Sequence, residues 1–158
     1  MPNRVWPVWK TVRIGMPGFC RAEDLLKEFI EGNSTHDPRV KAIIETLGEK
    51  LVVEEQEINL ALVGPKHFGL PGGTKRSDFF QIMQKSGLTI LPAVAGFCLR
   101  KQYTTQPETE RFHMAMDQIS LPKFGPCGLF LYGSFITGGC ADCSNSLMAE
   151  CRFACGIA

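Results

Sequence analysis

The sequence predicts an α+β domain in which N-terminal helices pack on a mostly antiparallel sheet. Three observations carry this expectation. Apolar residues recur at helical spacing in two early segments, Leu25-Leu26-Phe29-Ile30 and Val40-Ile43-Ile44-Leu47. Later they alternate, as Phe112, Met114 and Met116 do against His113, Ala115 and Asp117. Sixteen Gly and ten Pro among 158 residues punctuate the chain too often for long helices. A run of helices followed by a run of strands is the α+β order. A hydrophobic share of 44% supplies a core, and with charged residues at 21% it excludes wholesale disorder.

The elements follow in order. Val8 to Ile14 alternates weakly and predicts an edge strand, closed by the Met16-Pro17-Gly18 turn. Residues 22–30 predict a helix with Glu23 and Asp24 in the first turn, where acidic side chains suit the helix dipole, and Gly32-Asn33 as its stop. Asp37-Pro38 is an N-cap and first-turn pair that opens a second helix, ended by Gly48. Residues 51–53 and 57–63 predict strand up to Gly64-Pro65. A Gly- and Pro-rich loop runs through Gly73, and Thr74 caps a third helix with Phe79, Phe80, Ile82 and Met83 on its apolar face. With strand 88–91 this makes one β-α-β passage. Residues 97–103, 111–119 and 128–136 are read as further strands. The expected organisation is one domain over residues 1–137 and a Gly- and Cys-rich tail over 138–158.

Charge and hydropathy narrow the location and partners. Seventeen basic against sixteen acidic residues leave a net +1, so charge does not indicate a nucleic-acid partner. No stretch approaches the apolar length of a membrane span, and the opening MPNRVWPVWKTVRIG has neither the apolar run nor the small-residue cleavage site of a secretory signal. A cytoplasmic location is expected. Seven cysteines, an odd count without an export signal, argue against a disulfide framework.

A set of motifs is shared with a known group. Trp9-Lys10-Thr11-Val12-Arg13-Ile14-Gly15 comes first, then Gly73-Thr74-Lys75-Arg76-Ser77-Asp78-Phe79 and the run from Gly87 to Gly96. Leu99-Arg100-Lys101-Gln102-Tyr103, Gln106-Pro107 and His113-Met114-Ala115-Met116 complete it. In order and spacing over residues 9–119 the chain resembles an uncharacterised family of small bacterial proteins with the pattern WKTI-LG, T-R, G-L-LCPA-VGP--RLQY--QP and IAM-PI. The resemblance implies a soluble α+β protein of bacterial type and carries no assigned activity. The chain departs from the pattern at Leu91, where the family tends to have Cys, and in its Gly- and Cys-rich C-terminal segment.

Two groups of residues are candidate sites. Cys140-Ala-Asp-Cys143 followed by Cys151-Arg-Phe-Ala-Cys155 offers four thiolates, the soft donor set of a structural zinc site, and zinc is the cofactor such a site would take. Burial is the simpler reading: in a helix over 146–155, Leu147, Cys151 and Cys155 share one apolar stripe. The second group is polar. Thr74 and Arg76 stand at a helix start behind Gly72-Gly73, an anion-friendly geometry without the P-loop spacing. Arg100, Lys101, Gln102, Tyr103 and Gln106 follow. On a strand Arg100 and Gln102 would share one face and Lys101 and Tyr103 the other, and one pair could read a ligand's acidic or amide group. The simpler reading is a solvated strand face and an ordinary capped helix.

Catalytic grammar is sparse. HExxH, GxSxG and CxxCH are absent, and His36, His67 and His113 are scattered. His67 sits in a Gly/Pro loop that could face a cleft, and His113 is expected on the exposed or interface side of its strand. A Cys98–His113 pair across adjacent strands, or His67, would be needed for a small hydrolase or transferase. The reading therefore leans away from an enzyme. The expected function is a non-enzymatic binding or accessory module that meets a protein partner or a second copy through a sheet face or edge, with Trp6, Trp9 and Tyr132 as exposed anchors. A small metal-binding protein with a four-cysteine zinc site is the alternative.

Overall fold

The structure, a computed structural model, describes residues 4–32, 37–139 and 147–158. It is α+β, with a mostly antiparallel sheet between two helical layers. Strands β1 (Lys10–Ile14), β2 (Gln56–Val63), β8 (Phe153–Ile157), β4 (Arg111–Met114) and β6 (Gly125–Tyr132) lie side by side in that order. Short β3 (Leu88–Thr89) also pairs with β8, β5 (Ile119–Leu121) with the start of β6, and β7 (Phe135–Gly139) with β6. Only β4 and β8 run parallel.

Helix α1 (Ala22–Leu25) continues as a π-helical turn over Leu26–Glu31, closed by the Gly32 amide bonding Lys27 O. Helix α2 (Pro38–Leu47) starts where the sequence predicts. The Asp37 carboxylate accepts the Arg39 amide at 2.9 Å, and Pro38 fills the first turn. Such a cap contributes about 1 kcal/mol. Val40, Ile43 and Ile44 face the sheet and are fully buried. Together with α4 (Val94–Gln102), these helices cover one face over Val12, Leu60, Phe112, Met114, Leu129 and Ala154. Helix α3 (Arg76–Lys85) covers the other face over Ala61, Val63, Phe153 and Cys155. The passage from β2 through α3 to β3 is the β-α-β unit expected, with β8 inserted between its two strands.

Of residues 97–103, read as strand, all but Tyr103 lie in helix α4. Every residue from Val94 to Arg100 is buried, so the amphipathic period that marks a surface helix is missing. Gly96 lets the helix lie close to the sheet: a side chain there would meet Leu129 at 2.8 Å. The strand read over 128–136 is a hairpin, β6 and β7, with the two-residue loop Gly133-Ser134 and Gly133 at φ +52°. The strand read over 111–119 is broken into β4 and β5. The segment read as a tail ends in β8, which occupies the middle of the sheet, and the helix read over 146–155 is absent among its described residues.

Both margins of the sheet are closed by side chains from the helical layer. On β1 the Gln102 amide accepts from Arg13 N at 2.9 Å and donates to Arg13 O at 2.7 Å, as a further strand would. On β7 the Asp37 carboxylate accepts Gly138 N at 2.9 Å. Free edges invite pairing with other chains. Gln102→Ala is expected to cost about 1 kcal/mol, because it removes both bonds from a solvent-accessible pair of groups. A shift of the urea midpoint at unchanged slope measures it.

Candidate functional site

The predicted polar residues separate into two places. Arg100, Tyr103 and Gln106 do meet, around a buried guanidinium. Arg100 Nη1 donates to Gln106 Oε1 at 2.8 Å and to Gly133 O at 2.6 Å, and Nη2 to Tyr103 O at 2.5 Å. Gln106 Nε2 passes the network on to Glu110 O at 3.0 Å. Arg100 and Gln106 are 7% and 8% exposed, so the guanidinium is committed to protein acceptors and ties the end of α4 to the β6–β7 turn. Burial holds its pKa below the ordinary arginine value, and Tyr103 opposes that shift.

Thr74 and Arg76 lie on the other face. Thr74 Oγ1 donates to Pro71 O at 2.7 Å, and the Thr74 backbone bridges to Leu147. Arg76 donates to Met116 O and lies over the Phe80 ring at 4.2 Å. Burial brings its guanidinium down to about 10 although Asp117 pulls the other way. Lys75, Arg76, Ser77, Asp117 and Gln118 line a cleft of about 470 Å³.

His113 is not on an open face. Its ring is stacked 5.1 Å from Phe153 and lies 4.6 Å from Phe130. Burial, with Arg76 adding to it, takes its pKa down to about 4. Alternation along β4 sends His113 to the face opposite Phe112 and Met114, whereas Cys98 packs with those two residues. The imagined Cys98–His113 pair is therefore divided by the sheet. Burial pushes the Cys98 thiol up to about 12. Cys155 is raised by burial as well, its sulfur 3.1 Å from Met83 Sδ. Cys151 packs half-buried against the same apolar cluster. Cys140 and Cys143 lie outside the described residues. Among the described residues no three His, Cys, Asp or Glu side chains group as a metal site would require.

The N-terminal strap builds a different site. Trp6, expected to be exposed, is 7% exposed: its indole donates to Ser86 O at 2.8 Å and packs on Phe68. Arg4 lies over that indole and donates to His67 O. Trp9 meets Tyr103 and Phe112 edge-on, at 5.7 and 5.1 Å. Between strap, β2 and the starts of β4 and β8 opens a cleft of about 500 Å³, lined by Trp6, Trp9, Leu62, His67, Glu110 and Arg152 among others. Such a volume suits a small organic ligand.

Its polar wall is unusual. Glu110 Oε1 is buried and has no hydrogen-bond partner among the described residues. The Tyr103 hydroxyl is raised by burial and by its hydrogen bond to the Glu110 carboxylate, and Arg100, then Arg152, pull it the other way. Glu110 and Arg152 thus both act on one buried hydroxyl. An unpaired buried carboxylate oxygen costs the fold about 1–3 kcal/mol.

Of this cleft, sequence reasoning picked out the two tryptophans and His67. It missed Glu110 and Arg152, which have no local signature. They come to line one cleft because β4 and β8 run parallel, with His113 opposite Phe153, so the residues leading into both strands lie at the same end of the sheet. Fold and cleft together define an α+β protein with a tryptophan-walled cleft carrying charges of both signs. No family model, no curated protein and no solved structure matches the chain, so the resemblance rests on its motifs alone. Among the described residues no helix is long and apolar enough to cross a membrane.

Proposed function

We propose that the chain is a non-enzymatic binding module whose ligand is a small organic molecule held in the Trp9–Glu110–Arg152 cleft. The observation that supports this most is the cleft of about 500 Å³ walled by Trp6 and Trp9, with Glu110 and Arg152 in its lining. The tryptophan walls supply apolar contact at low entropic cost. Pairing through a sheet edge fits less well, because side chains occupy β1 at Arg13 and β7 at Gly138.

Amide NMR on the isotope-labelled protein, screened against small polar aromatic fragments, tests the reading. Binders should shift the amides of Trp9, Leu62, Glu110 and Arg152 together. Shifts that gather instead around Lys75 and Gln118, or no shifts at all, would refute it.

A further inference from the structure

We infer that the cleft takes a small organic carboxylate with an apolar or aromatic body, its charge held by the donors gathered around Gly64; this rests on the reading of the cleft just given. Gly64 sets the geometry of the group. Its amide donates to His67 Nδ1 at 3.0 Å. A side-chain carbon on Gly64 would lie 3.7 Å from Arg152 Cα, so the His67 ring and Arg152 flank one residue. Arg4 Nη1 donates to His67 O at 3.0 Å and adds a second guanidinium to the group. All three side chains line the cleft. Because His67 Nδ1 accepts, the neutral ring carries its proton on Nε2, a donor with no partner among the described residues.

The group offers donors to the cleft. Arg152 is half-buried and forms no ion pair among the described residues. Its hydrogen bonding there is one long contact, 3.4 Å to Arg111 O, so most of its donors are available to an anion. The acid in the described lining is turned inward: Glu110 Oε1 is closed off by burial, and the carboxylate receives the Tyr103 hydroxyl. A cationic ligand would meet Arg4 and Arg152 as like charges. A neutral one would leave the Arg152 donors unmet. A carboxylate matches the planar guanidinium with two parallel bonds. The rest of the ligand lies against Trp9 and Leu62 and covers Val5 and Val8, which the strap leaves exposed.

The chain has two tryptophans and both line the cleft, so the emission of the full-length protein reports binding directly. The titrants are 3-phenylpropionate, 3-phenylpropan-1-ol and 3-phenylpropylamine, which share one body and differ in head group. The carboxylate should bind about tenfold more tightly than the alcohol, the worth of one charge-assisted hydrogen bond, and the amine more weakly than the alcohol. Arg152→Gln should bring the carboxylate down to the affinity of the alcohol and leave the alcohol where it was, which a general loosening of the fold would not do. A carboxylate that binds the unmodified protein no better than the alcohol sinks the proposal without recourse to any variant. A gap that survives Arg152→Gln overturns it too. If none of the three alters the emission while fragments still map to Trp9 and Arg152, the carboxylate assignment falls and the cleft survives as a site. If the fragments map elsewhere, both fall.

Discussion

Replacing Arg100 with methionine is expected to destabilise the fold by about 3–5 kcal/mol, the usual cost of breaking a buried charged network from one side. The stem of methionine fills similar space, so packing changes little. What is lost is the donor to Gln106 Oε1, Gly133 O and Tyr103 O, all buried and all left without that partner. Denaturant unfolding with unchanged slope gives the number. Arg100→Lys should recover only a minor part, because one ammonium cannot span the acceptors that the planar fork reaches. A loss below about 1 kcal/mol, the net worth of a single ordinary hydrogen bond, would show that the network does not tie α4 to the hairpin.

Acidification should weaken the protein through His113. The unfolded ring protonates near its ordinary value of 6.5, and the folded ring only at about 4. Between those values the unfolded chain binds more protons, so stability falls as the pH is lowered through the window and levels off beneath it. The shift corresponds to about 2–3 kcal/mol, with some allowance for partial exposure. His113→Phe keeps a ring between Phe130 and Phe153 and cannot titrate. Unfolding free energies from pH 7.5 to pH 4 should show the unmodified protein losing that much more than the variant. Parallel curves for the two would remove the assignment to His113. Carboxylates contribute equally to both curves, which is why the difference is the quantity to read.

Helix α2 was legible because its signals are local: a carboxylate cap, a first-turn proline and one apolar stripe. Helix α4 was not, since burial on all sides erases the periodicity by which a helix is recognised. Its lack of β-branched residues beyond Val94 was the remaining clue. β8 was hidden for another reason. Phe-Ala-Cys-Gly-Ile has little strand propensity, and it is extended because β2 and β4 flank it and pair with it. Gly156 also has to be small, as a side chain there would strike Thr89 Oγ1 at 2.3 Å. The candidate cleft divides in the same way. Aromatic residues announce themselves in a sequence, whereas the placing of Glu110 and Arg152 in one cleft is a product of strand direction.

The two seals on the sheet differ in kind, and acid separates them. Gln102 is a neutral amide whose grip on β1 is indifferent to protons. Asp37 holds β7 with a carboxylate; burial works against its charge, but bonds from Arg39 and Gly138 keep it below the usual carboxylate range. That grip persists at neutral pH and slackens once the medium drops through its lowered value. The molecule therefore has one permanent hem and one that acid unpicks, and a strand seeking to add itself to acid-treated protein would find its opening beside Gly138.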